Sequence, residues 1–241
     1  MTRLINKQER LSTSWEWDAF FKEGGSWEAN RGRSQTRLFA EAFCRHTSID
    51  LEEGQSLLDS GCALGDALPV LNKRFPKAQL YACDFSTTAI QRCKDHFPEL
   101  ASFFLCPIEG IEDVYDVIYS SNTLEHFCDY REKARQLLQH CRYLCILVPY
   151  DEHSKCGKDL EYDPYCHHVV TFREHSFEFL LDEGLAKKIR RPKVFAVPKA
   201  WSWTLRTRIK QSLKNVFRLL LKRPLARNGK QILFEIEAIG D

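Results

Sequence analysis

"LLDSGCALGDALPVL", residues 57–71, decides the fold class of this chain. An apolar run ends on Asp59, and a turn that contains Gly61 and Gly65 then leads into a helix-length segment. This is the pattern of a strand followed by a ligand-binding turn, where glycine avoids both a clash with the ligand and an unfavourable positive φ. The dinucleotide fingerprint GxGxxG and the lysine of a phosphate-binding loop are both absent, which argues against NAD and ATP.

Around this stretch, short β-rich runs alternate with helix-length segments between residues 56 and 149. The alternation predicts an α/β fold in which βαβ units surround a parallel sheet. The predicted strands are Ser56–Ser60, Gln79–Asp84, Ser102–Cys106, Tyr115–Ser121, Tyr143–Pro149, and about 187–197 and 231–238. Helical segments are predicted at about 14–47, 66–74, 86–96, 129–141 and 171–185.

The composition predicts a globular protein with a large buried core, because 44% of the 241 residues are hydrophobic. There is no transmembrane-length apolar run and no signal-peptide pattern at the start, so we expect a cytoplasmic protein. The ten cysteines are scattered without a CxxC pair, as expected of reduced thiols. Cys156, Cys166, His167 and His168 do not have a usual zinc spacing, and we therefore expect no metal centre.

The charge is unevenly distributed along the chain. Residues 184–234 hold 15 Lys and Arg and no acid, which leaves 20 basic against 33 acidic residues elsewhere. Apolar residues at three- and four-residue steps predict a basic amphipathic helix at about 202–223, inside an insertion at about 199–229. Its apolar side can pack on the sheet edge, but Trp201 and Trp203 at one end favour contact with an anionic membrane surface or a phosphorylated lipid-linked substrate. We therefore expect a location peripheral to the inner face of the membrane; RNA would also fit the charge, but no RNA-binding module is visible.

The second predicted strand ends in "LYACDFS", where Asp84 can accept both hydroxyls of a ribose and Ser86 can cap the next helix. In order and spacing, five segments resemble class I S-adenosylmethionine-dependent methyltransferases over roughly residues 35–198: "LLDSGCALGDALPVL", "ACDFSTTAI", "YDVIYSSNTLEHFCD", "CILVPYDE" and "HHVVTFREHSFEFLLDEGL". The resemblance implies a Rossmann-like domain at residues 51–241, with a mostly parallel seven-stranded sheet and an antiparallel last strand. Residues 1–50 would form an N-terminal helical segment, which either docks on the domain or closes over the cofactor and substrate as a lid.

The resemblance also implies S-adenosylmethionine as the cofactor. Its methionine part, ribose and adenine would contact Asp59, Gly61, Ala63, Gly65, Asp84, Phe85, Pro107, Ile108 and Asn122. Ala63 departs from the family because a glycine usually stands there. Cys106 and Pro107 replace an acid that often accepts the adenine amino group, which leaves the backbone of Pro107 and Ile108, or Glu109, for that contact.

Methyl transfer requires positioning of the acceptor and, when the acceptor is a hydroxyl, removal of a proton. Histidines and acids fall at the rim of the predicted sheet, and the expected catalytic residues are His126, His168, Glu152 and His153. "SWEWDAFFKEGGSW", "LEHF" and "VPYDEH" resemble methyltransferases of surface-polysaccharide biosynthesis, so we expect methylation of an oxygen of a small-molecule or glycan-type acceptor. The alternatives are a quinone, a lipid or a nitrogen of a secondary metabolite, RNA, and a methyltransferase-like interaction protein without activity.

Overall fold

A twisted sheet forms the centre of the molecule in this computed structural model, which describes residues 14–151, 168–198 and 229–240. Its strands are β1 (Ser56–Ser60), β2 (Gln79–Asp84), β3 (Ser102–Leu105), β4 (Tyr115–Ser121), β5 (Cys141–Pro149), β6 (Ala186–Ile189), β7 (Lys193–Val197) and β8 (Gly229–Ala238). Their order is β3-β2-β1-β4-β5-β8-β6, and β7 also pairs with β8. The first five strands are parallel, and β8 runs antiparallel to its neighbours, which confirms the predicted fold class.

The single strand predicted at about 187–197 is two strands in the structure. Both pair with β8: Ile189 of β6 lies opposite Ile236, and Lys193 of β7 lies opposite Leu233. The interruption contains Pro192, which has no N–H to donate to a strand ladder. The described chain therefore has eight strands where the sequence predicts seven, because β6 and β7 together take the place of one predicted strand.

Seven helices cover this sheet in the described residues: α1 (Ser14–Phe21), α2 (Ser26–Ala29), α3 (Gly32–His46), α4 (Leu68–Arg74), α5 (Thr87–His96), α6 (Tyr130–Gln139) and α7 (Phe179–Asp182). The segment predicted to be helical at about 14–47 consists of three helices, because left-handed backbone at Gly24 and Arg31 separates α1, α2 and α3. The helix predicted at 171–185 is likewise reduced to α7. Ser176 Oγ accepts the Arg173 N–H at 2.8 Å, and such a side-chain bond competes with helical hydrogen bonding.

Alternate residues of the strands pack into two apolar cores, one on each face of the sheet. Leu58 and Ile118 pack with α6 and α7, whereas Leu57 and Val117 pack with α3, α4 and α5. Within the described ranges, no helix is long and apolar enough to cross a lipid bilayer. Because β1, β2 and β4 are parallel, their carboxyl ends meet at one edge, and this brings the sequence motifs together.

Candidate active site

A cavity of about 350 Å³ opens at the carboxyl ends of β1, β2 and β4. One wall is the turn after β1, and the others are the loops that follow β2, β3 and β4. The remaining side is closed by Trp17, Phe21 and Trp27 from the N-terminal helices. A ligand in this cavity would thus contact every motif that the sequence singled out between residues 59 and 126.

The turn after β1 has the backbone of a glycine-rich loop at three alternate positions. Gly61, Ala63 and Gly65 have φ values of +81°, +50° and +72°, all in the left-handed region. Ala63, which stands where the resemblance implies a glycine, therefore adopts a left-handed conformation at a cost of about 1 kcal/mol. A Cβ on Gly61 would stand 2.5 Å from Thr123 Oγ1, so this position has no room for a side chain.

Asp84 holds the turn after β1 to the turn after β2. Its Oδ2 accepts the N–H of Ala63 and its Oδ1 accepts the N–H of Ser86, each at 2.9 Å. Burial raises the pKa of Asp84 to about 6, although these backbone hydrogen bonds oppose the increase. Ser86 caps α5 as predicted, since its Oγ accepts the Ala89 N–H at 3.1 Å. Each carboxylate oxygen has further acceptor capacity for a ligand hydroxyl.

Asp59 lies in the cavity wall, and one oxygen of its buried carboxyl group lacks a hydrogen-bond partner in the described part of the chain. It is 2% exposed, and its Oδ2 has no hydrogen-bond partner among the residues that the structure describes. Burial, and to a smaller extent the charge of Asp84, raises the pKa of Asp59 to about 7. Buried charges are normally paired, so a cationic group of a ligand fits this position. S-adenosylmethionine carries an α-ammonium group, and Asp59 therefore fits the expected cofactor.

The N-terminal helices are fastened to α5 beside Asp84. Asp18 Oδ1 of α1 accepts the hydroxyl of Ser86 at 2.5 Å and the N–H of Thr88 at 2.9 Å. Arg92 of α5 donates to the carbonyl oxygen of Phe21 at 2.7 Å. These polar bonds hold the aromatic residues of the segment over the cavity.

Two of the predicted catalytic histidines come together at the far wall. His126 lines the cavity, and its ring centroid lies 5.0 Å from that of Trp17 and 5.1 Å from that of His168. Glu125 is completely buried behind them, and its Oε1 lies 3.8 Å from His168 Nε2. The "LEH" triplet marked this turn in the sequence, but Glu125 had no predicted role.

Most predicted cofactor ligands lie on the cavity surface: Asp59, Gly61, Ala63, Asp84, Phe85, Pro107, Ile108 and Asn122. Gly65 does not line the cavity. It faces Cys93 and Phe97 of the α5 region, and its left-handed backbone shapes the turn on the side away from the cavity. His168 contacts the ring of His126 but does not itself line the cavity. Glu152, His153, Cys156, Cys166, His167 and residues 199–228 of the basic insertion lie outside the described residues.

The structure adds an ion pair between a buried lysine and a half-exposed acid that the sequence did not indicate. The Lys133 side chain, 8% exposed, pairs with Glu109, and its Nζ lies 3.5 Å from Asp129 Oδ2. Burial lowers the pKa of Lys133. This pair fixes Glu109, one of the expected adenine contacts, at the cavity wall. Lys133 is seven residues beyond the "LEH" triplet on an ordinary amphipathic helix, and no motif marks it. Further lining residues without a sequence signal are Gln35, Thr36, Phe39 and Phe127.

A family model described as a methyltransferase domain matches residues 30–184, which is more than half of the chain. The curated malonyl-[acyl-carrier protein] O-methyltransferase of Bacillus anthracis is 33% identical over 95 residues, which are 38% of this chain and 35% of that protein. The match thus spans about a third of the length of this relative.

Solved structures resemble the chain over nearly its whole length. The chain is similar to a structure of the complex between the Haloferax volcanii Trm112 methyltransferase activator and a methyltransferase, with a TM-score of 0.66, 15% identity, and coverage of 93% of this chain and 98% of that chain. A plantazolicin methyltransferase in complex with S-adenosylhomocysteine has a TM-score of 0.54, 19% identity and coverage of 93% and 96%. Magnesium protoporphyrin IX methyltransferase of Synechocystis PCC 6803 with bound S-adenosylmethionine has a TM-score of 0.55, 14% identity and coverage of 95% and 93%. At these identities the likeness shows the fold.

Proposed function

The chain belongs to the class I S-adenosylmethionine-dependent methyltransferase family, and from this premise we propose that it methylates an oxygen atom of a small hydroxyl-bearing acceptor. The observation that carries the proposal is the histidine cluster at the cavity wall, where His126 and His168 lie with ring centroids 5.1 Å apart. A sugar of a glycan or of a lipid-linked glycan is the acceptor class that we favour, on the resemblance of three sequence segments to polysaccharide methyltransferases.

The cofactor end of the cavity supplies binding and orientation. When bound, the cofactor supplies an electrophilic methyl group on a positively charged sulfur. Asp59 would hold the α-ammonium group, and the left-handed turn around Ala63 would present its backbone to the methionine part. Asp84 would accept the ribose hydroxyls, and Pro107 and Ile108 would flank the adenine. Because positioning supplies much of the rate in such reactions, these contacts decide where the acceptor must lie.

The acceptor end must remove a proton, because a hydroxyl oxygen is a poor nucleophile while it remains protonated. His126 is the titratable ring that lines the cavity on this side, and His168 and Glu125 stand behind it. Histidine changes its charge near neutral pH, which suits it to this task. Trp17 covers the His126 ring and would exclude water from the acceptor. A hydroxyl acceptor is thus favoured over an amine that is already nucleophilic.

The test is transfer of a labelled methyl group from S-adenosylmethionine to a panel of acceptors. The panel contains methyl glycosides, nucleotide-linked sugars, a reduced quinone, a small amine, a small carboxylic acid and bulk RNA. We expect transfer to hydroxyl oxygens, and a loss of about 10²–10⁴-fold in His126→Ala. His175→Ala is the matched control, because His175 is exposed and pairs with Glu178 on the surface. Transfer that goes only to RNA, nitrogen or carboxylate, or that is unchanged in His126→Ala, would refute the proposal.

The basic insertion at about 199–229 gives this proposal a second, separate part. Its acid-free charge supports contact with an anionic membrane surface or a phosphorylated lipid-linked acceptor at the inner face of the membrane. Flotation with vesicles of neutral and anionic lipid measures this directly. No binding, or binding that is equal for both vesicle types, would exclude a charge-directed membrane contact and leave the methyl-transfer proposal standing.

A further inference from the structure

We propose that Glu125, His126 and His168 hold one divalent transition-metal ion of the zinc class at the wall of the cavity. Each residue offers one ligand atom, a carboxylate oxygen or an imidazole nitrogen, and all three atoms lie within 4.8 Å of one another. Two of these residues were predicted from the sequence as proton acceptors. The structure groups them with a buried carboxylate, and the proposal departs from the expectation that the chain has no metal centre.

The spacing within the cluster suits a shared ion better than a direct hydrogen bond. His168 Nε2 and Glu125 Oε1 are 3.8 Å apart, which is too long for a hydrogen bond between nitrogen and oxygen. Two ligands of one tetrahedral zinc ion, each bonded at about 2.1 Å, stand about 3.4 Å apart. Small side-chain rotations would therefore bring the three atoms into a coordination shell.

The buried carboxyl group of Glu125 suits a cation ligand. Its side chain is 0% exposed, and a cation bound beside a buried carboxylate offsets part of the cost of removing that charge from water. The backbone also fixes the residue: its carbonyl oxygen accepts the N–H of Val169 at 2.8 Å and of Val170 at 3.2 Å. This pairing ties the turn after β4 to the segment that carries His168, so the ligand atoms are held in place from two directions.

The ligand chemistry defines the class of ion. Two imidazoles and one carboxylate form a set typical of zinc and of other divalent transition metals, and they leave coordination positions open. His126 lines the cavity, so an open position on its side would accept an oxygen of the acceptor. Here the inference rests on the proposed function and refines it: with the ion bound, His126 would act on the hydroxyl through the metal that it holds, and the hydroxyl would release its proton to solvent water rather than to the imidazole, because the ion stabilises the oxyanion.

The test is calorimetric titration of the chelator-treated full chain with Zn²⁺. We expect one tight site in the wild type, and affinity reduced more than about 100-fold in His168→Ala and in His126→Ala. His175→Ala should titrate like the wild type, since this exposed histidine lies outside the cluster. Ten cysteines could also bind zinc, so Co²⁺ absorption is recorded in parallel. Nitrogen and oxygen ligation lacks the intense thiolate-to-cobalt band that cysteine ligation produces.

Equal stoichiometry and affinity in wild type and His168→Ala would overturn the metal site, and so would a cobalt spectrum dominated by thiolate. Glu125→Gln is the third ligand variant, but a change at a completely buried residue could prevent folding. The two histidine variants decide the question without it, and circular dichroism melts verify that both are folded. Metal binding needs no acceptor, so its failure is separable from the failure of oxygen methylation in the acceptor panel.

Discussion

Replacing Asp59 by asparagine should stabilise the ligand-free protein, and the gain should grow as the pH rises. Burial, and secondarily the charge of Asp84, raises the pKa of Asp59 from 3.8 to about 7. A raised carboxyl pKa means that the folded state accommodates protonated Asp59 better than ionised Asp59. The folded state therefore has its full stability below about pH 4 and loses stability as the pH rises through about 7. A shift of about three pKa units corresponds to at most about 4 kcal/mol.

The measurement is urea unfolding of wild type and Asp59→Asn at several pH values between about 5 and 8, without cofactor. The difference in unfolding free energy between the two proteins should increase in favour of the variant from about pH 5 to about pH 7 and level off above that, because the carboxyl group is then ionised in the folded state as well. Asp50→Asn is the control, because Asp50 is an exposed carboxylate that pairs with Arg74 outside the cavity. Parallel pH profiles for wild type and Asp59→Asn would show that Asp59 is not a strained buried charge, and the reasoning would be refuted.

The same variant should bind the cofactor more weakly although it is more stable. If Asp59 compensates the α-ammonium group, calorimetry should show S-adenosylhomocysteine binding at least about tenfold weaker in Asp59→Asn, since a hydrogen bond between charged groups contributes about 1.5–3 kcal/mol. In the wild type, affinity should rise as the pH increases through about 7, because the ionised carboxylate is the binding form. If Asp59→Asn bound S-adenosylhomocysteine as tightly as the wild type, the α-ammonium group of the cofactor would not contact Asp59.

Three further substitutions test other walls of the cavity. Ala63→Gly should raise the unfolding free energy by up to about 1 kcal/mol in urea titrations, because φ is +50° at this residue, and should leave S-adenosylhomocysteine affinity equal or tighter; a clear loss would mean that the turn is misinterpreted. Asp18→Ala removes two hydrogen bonds from α5, so limited proteolysis should cut the N-terminal helices faster and cofactor affinity should fall roughly tenfold; equal cutting rates would argue against a fastened lid. Lys133→Met removes the ion-pair partner of Glu109. Because the Glu109 side chain is 46% exposed, the free energy of unfolding should change by less than about 1 kcal/mol, while calorimetry should show weaker binding of adenosine. Unaltered adenosine binding would exclude Glu109 from the adenine site.

Local sequence predicted the strands well because each carries its own signal. β1, β2 and β4 have the predicted bounds, since an apolar run that ends in a turn marks a buried parallel strand without reference to its neighbours. Helix continuity was harder to predict. The segments at 14–47 and 171–185 have helical composition. Positive φ at Gly24 interrupts the first, and a side-chain hydrogen bond at Ser176 interrupts the second. Each interruption depends on a single residue or on tertiary contacts, which composition does not report.

The sequence by itself determined the fold class, the cofactor turn and the acid at the end of β2, because these features lie within one βαβ unit and follow from local order. Only the tertiary structure decided that Glu125 and His126 meet His168, more than forty residues away, and that Lys133 holds Glu109. It also decided that Asp59 is a buried acid at the cavity wall whose Oδ2 has no hydrogen-bond partner among the described residues. The reason is physical: burial and charge compensation depend on which distant segments the folded chain places around a group, and no local pattern of residues encodes that.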